Sequence, residues 1–220
     1  MSWLLELLII FFIILFSMIL HELAHGLMAY FLGDDTAKQE GRLTLNPFKH
    51  LDPILSFAMP LLLFISGGPI FGGAKPVPIN TQNLKKGVWG MALVALAGPL
   101  TNFILAFVGL LIGRFTGLIG VYEGALYYAN GVAGMIMAEF VMINLGFGVF
   151  NLLPIPPLDG SRLLYAIAPD GVRRFMESME HWGIMVVMLI VVFASGWLSG
   201  LMSVVIDAIL TGFSWIIGLH

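Results

Sequence analysis

The sequence contains no cysteine. That excludes a disulfide framework and any thiolate metal site, so a metal here must be held by His, Asp or Glu. Charge is scarce as well. Only 10% of the 220 residues are Asp, Glu, Lys or Arg, where a soluble domain usually carries about 25%. A chain that is 59% hydrophobic, with a mean hydropathy of +0.98, cannot cover its surface with charge in water. A lipid bilayer is its natural solvent. The net charge of −3 argues against a nucleic-acid partner. Signal-peptide features are thin too. Leu7 to Leu20 is apolar apart from Ser17, but no Lys or Arg precedes it and no small-residue cleavage pattern follows. It reads as a retained first helix.

What is present is a series of long apolar runs, read as an all-α polytopic transmembrane bundle of about six helices in one unit, residues 1–220. Trp3 to Leu32 predicts a helix of roughly 45 Å, longer than the roughly 30 Å hydrocarbon core. Gly33-Asp34-Asp35 stops it. Residues 36–50 read as a solvated loop. Leu51 to Ser66 is apolar but short, with Pro53 and Pro60 inside, and reads as a kinked or partial span. The Gly/Pro-rich stretch at 67–83 excludes an ordinary helix and predicts a re-entrant or β-like loop. Val88 to Gly113 and Gly131 to Leu153 are the next spans. A polar connector at 161–180 leads to two final ones, Trp182 to Leu198 and Leu201 to Leu219. The motif-bearing core would be about 3–165, and the helices at about 182–219 accessory. If all six cross, Lys75, Lys85, Lys86, Arg162, Arg173 and Arg174 share one side, against Lys38, Arg42, Lys49 and Arg114 on the other. The positive-inside rule then places both termini in the cytoplasm.

The sharpest local signal is His21-Glu22-Leu23-Ala24-His25. Residues four apart on a helix share one face, so the two imidazoles can bind one zinc ion, while Glu22 leans over the same edge toward a water. Ionisable residues within a membrane helix are costly and usually functional. A catalytic zinc takes three protein ligands and keeps one open position. Asp159, after a proline-rich break and before Gly160, is the better-placed third ligand. Glu139, within the span at 131–153, is the rival. Asn102 reads either as a substrate contact or as an amide bonded between helices. Asn144 and Asn151, seven apart with Gly148 between them, suggest a polar seam that serves packing or forms a substrate wall. His50, His181 and His220 read as surface histidines.

Two blocks together resemble a known family. His21-Glu22-Leu23-Ala24-His25 and Asn151-Leu152-Leu153-Pro154-Ile155-Pro156-Pro157-Leu158-Asp159-Gly160 are similar to the motifs of the site-2 protease family of intramembrane metalloproteases. Gly98-Pro99-Leu100-Thr101-Asn102 resembles that family's G-x-x-x-N element. Gly41 to Pro47 and Ala74 to Pro78 look like its compact prokaryotic branch, without a PDZ or CBS domain. The resemblance implies one Zn2+ held by His21, His25 and Asp159, with Glu22 as general base and Asn102 and Asn151 touching the substrate backbone or oxyanion. It also implies a transmembrane protein or peptide as substrate, cleaved within or near its membrane segment, and residence in the plasma membrane of a prokaryote. An extended edge at Lys75–Asn80 would hold the unwound substrate by β-pairing. The competing readings are a metal or proton transporter using His21, Glu22 and His25 as a relay, and a binding protein with a structural zinc.

Overall fold

The computed structural model describes residues 3–52, 75–122, 125–129, 131–180 and 182–218. Helix α1, Trp3–Phe31, is an almost unbroken apolar run. It ends where Gly33 takes φ +103° and Asp34 N–H donates to Ala29 O at 2.9 Å, closing the last turn in a Schellman-type cap. Helix α2, Gly87–Thr116, ends the same way: Gly117 is left-handed and Leu118 N–H returns to Gly113 O at 2.9 Å. A short hairpin follows, β1 Ile119–Tyr122 paired antiparallel with β2 Ala125–Tyr128. Helix α3 is Val132–Asn151. Then come α4 Asp159–Ile167, α5 Asp170–Glu180, α6 Gly183–Phe193 and α7 Ser195–Ile217.

The bundle is built around α2. It packs on α1, α3 and α4, while α7 rests on α3 and α2. Its buried face is mostly small: Gly90, Ala92, Ala95, Ala97, Gly98, Ala106, Gly109 and Gly113. In lipid the hydrophobic effect does not drive helices together, so close packing of small residues must do so. At Gly109 a Cβ would stand 3.0 Å from Phe140 and Val141 of α3. Leu110, Val141, Leu145 and Leu210 fill the apolar core at this level.

Among the described residues, four helices are long and apolar enough to cross a membrane: α1, α2, α3 and α7. A fifth crossing is counted only if α5 and Met185–Phe193, bent by 87°, act as one. The helical polytopic architecture holds, but the segmentation differs from the six spans expected. Leu51 to Ser66 lies outside the described residues, as does the 67–74 part of the Gly/Pro-rich loop. The span expected at Trp182 to Leu198 is an 11-residue helix, about 16 Å long and too short to cross alone. The break falls at Ala194, and the last span starts earlier than expected, at Ser195. The connector at 161–180 is helical and strongly amphipathic, with Met176 buried, Arg174 and Glu177 on its outer side, and half-buried Arg173 bonded to Tyr165 O and Ala166 O. The hairpin at 119–128 gave no clear sequence signal.

Candidate metal centre

His21 and His25 lie one turn apart on α1, both buried. Asp159 opens α4, reached through the proline-rich turn after α3. Gly160 makes this approach feasible, since a Cβ there would meet Leu152 O at 2.1 Å. The three side chains converge. His21 Nε2 is 3.0 Å from His25 Nε2, and Asp159 Oδ2 is 3.1 Å from the first and 3.3 Å from the second.

The hydrogen-bond partners fix what those atoms carry. His25 Nδ1 faces the backbone carbonyl of Val94 at 2.7 Å, so it must be the N–H. That carbonyl lies in the turn before Pro99. His21 Nδ1 faces Asn102 Oδ1 at 2.6 Å. The amide orientation is not arbitrary. Asn144 Nδ2 donates to Phe140 O at 2.8 Å and to Ser17 Oγ at 2.9 Å, so its Oδ1 is the atom that accepts from Asn102 Nδ2 at 3.0 Å. Asn102 therefore turns its oxygen to His21, which donates from Nδ1. In the neutral form of each ring, Nε2 is then the lone pair. Among the described residues no hydrogen-bond donor reaches Asp159 Oδ2 either, although it is buried.

With both imidazoles neutral, three lone pairs lie about 3 Å apart and repel unless a cation joins them. Ligand distances of about 2.0–2.2 Å around tetrahedral zinc give edges of about 3.3–3.6 Å. The observed triangle is a few tenths of an ångström tighter, close to one face of that tetrahedron. The donor set, two neutral imidazoles and a carboxylate, suits zinc. The two Nδ1–H bonds are contacts of the kind that hold metal-binding histidines in one tautomer.

A family model for peptidase family M50 matches residues 113–195. "Putative zinc metalloprotease YwhC" of Bacillus subtilis is 41% identical over 185 residues, covering 84% of this chain and 80% of that protein. The chain belongs to peptidase family M50, the site-2 protease family. Further relatives carry names of the same kind. "Putative zinc metalloprotease Rip2" of Mycolicibacterium smegmatis is 31% identical over 179 residues, 81% of this chain and 64% of the relative. "Putative zinc metalloprotease MJ0611" of Methanocaldococcus jannaschii is 38% identical over 96 residues, 40% of this chain and 44% of its own. No solved structure matches. This M50 chain is thus a zinc metallopeptidase, a hydrolase with spans for the membrane.

The family's G-x-x-x-N element has a local cause here. A Cβ on Gly98 would stand 2.5 Å from His25 Cε1 and Nε2 and 2.6 Å from His21 Cε1. The backbone of α2 is therefore the wall against which both imidazoles rest. Asn102, one turn on, is on the same face. It was expected to face substrate as one reading, but it is fully buried and both ends of its amide are spent on His21 and Asn144. The bridging reading is the one the structure gives. Ser17 and Asn144 complete this ring across α1, α2 and α3.

Asn151 ends α3 half-buried, its amide donating back to Phe147 O at 3.1 Å. Glu139 is half-buried on α3 and is not among the converging ligand atoms. Glu22 is half-buried on α1, and its Oε2 accepts from Val77 N–H at 2.8 Å. That contact takes the Val77 N–H out of the edge expected to pair with substrate. Val77 N–H is committed to Glu22, Lys75 N–H to His50 O at 2.8 Å, and Asn80 N–H to Asp34 Oδ2 at 2.7 Å. Pro76 and Pro78 have no N–H to offer. The segment is held by side chains: buried Arg42 adds bonds to Lys75 O at 2.8 Å and Pro76 O at 3.3 Å. His50, expected at the surface, is buried because this loop folds back on Lys75, and its Nε2 donates to Thr44 O at 2.8 Å. His181 and His220 lie outside the described residues.

Asp34 anchors the other end of the segment. Burial alone would raise its pKa. Hydrogen bonds from Thr36, Asn80 and Asn83 outweigh that and hold the carboxyl below its ordinary value of 3.8.

Proposed function

We propose that this chain cleaves peptide bonds within or near transmembrane segments of membrane-protein substrates, in the plasma membrane of a prokaryote. His21, His25 and Asp159 hold the zinc ion, and Glu22 is the general base. The chain acts as one domain, residues 1–220, its helices beyond 182 supporting the motif-bearing core. The observation that carries the reading is the convergence of three metal-ligating side chains from α1 and α4, with Glu22 beside them on α1.

Zinc, when bound, supplies a Lewis acid for the scissile carbonyl and lowers the pKa of water toward neutrality. The chain's own residues do the rest. Glu22 takes a proton from the attacking water as its oxygen bonds the carbonyl carbon. As the C–N bond breaks, Glu22 returns that proton to the leaving amine. Its Oε1 is the oxygen for this work, since Oε2 is engaged by Val77. Asn102 positions His21. Asn151, at the end of α3, is assigned to the substrate backbone.

The test pairs zinc content with cleavage of a model transmembrane segment. Glu22→Ala should keep one zinc and lose cleavage by about 10²–10⁴-fold. His25→Ala and Asp159→Ala should lose both. Cleavage surviving in Glu22→Ala would end the assignment.

A further inference from the structure

Helix α7 carries one charged residue in its 23, Asp207. It sits within about 2 Å of the helix midpoint along the axis, flanked by Val204-Val205-Ile206 and Ala208-Ile209-Leu210. Its side chain is exposed, and no hydrogen bond or ion pair joins it to a described residue. The nearby hydroxyl of Ser203, one turn earlier, is spent on Gly200 O at 2.9 Å. An aspartate side chain is far too short to reach a headgroup roughly 15 Å away. A carboxylate facing lipid at that depth has an unmet need for a counter-charge.

The surface around it is shaped for a close neighbour. Gly196, Gly200, Ser203 and Asp207 follow at intervals of four, three and four, so they share one face of α7. All four are exposed, and a Cβ built at Gly196 or Gly200 meets nothing within 4 Å. α7 docks on its own bundle through other residues, among them Ile209, Leu210 and Phe213. Small residues on a free face let a second helix approach closely enough for a polar contact.

Charge decides the occupant. A second copy of this chain would set Asp207 against Asp207. It has no cation to offer at that depth, because α1, α3 and α7 contain no Lys or Arg, and α2 has only Arg114, in its last turn and bonded to Gly218 O. We propose that this face of α7 docks a transmembrane helix of another protein carrying a lysine or arginine at mid-depth, with Asp207 as its counter-charge. The contact is independent of the metal centre.

The test reconstitutes the full chain in phosphatidylcholine vesicles with a leucine-rich transmembrane peptide bearing one central lysine, and with its central-leucine twin. Association is read by energy transfer, and peptide integrity by mass spectrometry. The lysine peptide should bind about tenfold more tightly. Asp207→Leu should abolish the preference, and Asp207→Glu should keep it. Asp207→Lys should reverse it toward a central-aspartate peptide, which a folding defect cannot imitate. Equal binding of the two peptides by the wild type, or a preference surviving in Asp207→Leu, overturns the proposal. So does self-association of the chain that depends on Asp207 and excludes the peptide.

Discussion

Two regions of this chain put ionisable groups inside apolar helices, and they treat them in opposite ways. At the metal centre each surrounding polar atom has a partner. Asn102, Asn144, Ser17 and the Val94 carbonyl form a closed set around the imidazoles, and the atoms left over all point at one place. On α7, Asp207 has no such set. A closed polar network inside a bundle fixes geometry for chemistry. An open polar group on a bundle's outer face leaves its satisfaction to something outside the chain.

The strongest way to break the closed region is Gly98→Ala. A methyl at 2.5 Å from His25 must push the ring away. A displacement near 1 Å costs about 100-fold in turnover, and zinc affinity should fall with it. Cleavage and metal titration on the purified variant check this; unchanged values would mean α2 can retreat.

Asn102→Ala comes next. It leaves His21 Nδ1–H and the Asn144 carbonyl unpaired, while the three ligands stay. Loss of such an outer contact usually costs about 10–100-fold in metal affinity. Ser17→Ala, one bond further out, should act in the same direction and more weakly. Competition with a chelator of known affinity ranks the two, and an equal ranking would open the ring.

Val77→Pro removes a single donor. Zinc content should hold while turnover drops several-fold, because Glu22 loses the bond that orients it. Turnover equal to wild type would show that Glu22 needs no such guide.

The smallest effect concerns a third carboxylate, which sharpens the contrast with Asp207. Asp34 is outside the spans and fully served by donors. Its folded pKa is depressed, so its stabilisation is present above the unfolded value of 3.8 and is lost as pH falls through the lower folded value. The gap in thermal midpoint between wild type and Asp34→Asn should therefore be constant near neutrality and close in acid. A gap that persists there would remove Asp34 from the account.

Much of the centre was legible because its signal is local. Two histidines at a spacing of four need only a helix to share a face, and Asp159 stands out beside its prolines and Gly160. The bundle was legible from apolar run length. What escaped depends on contacts across the chain. Ser17 is unremarkable until Asn144 is brought to it from 127 residues away. His50 looks like a surface residue unless Lys75 is known to lie on its carbonyl. The break at Ala194 divides a run whose hydropathy is continuous, so periodicity had nothing to register.

The bond from Val77 to Glu22 has a consequence for how protons travel. A free carboxylate can spin and offer either oxygen to any side. With one oxygen pinned by a stretch that lies between two prolines, Glu22 keeps a single working lone-pair edge. For the base proposed here, uptake and return of the proton would then share one direction.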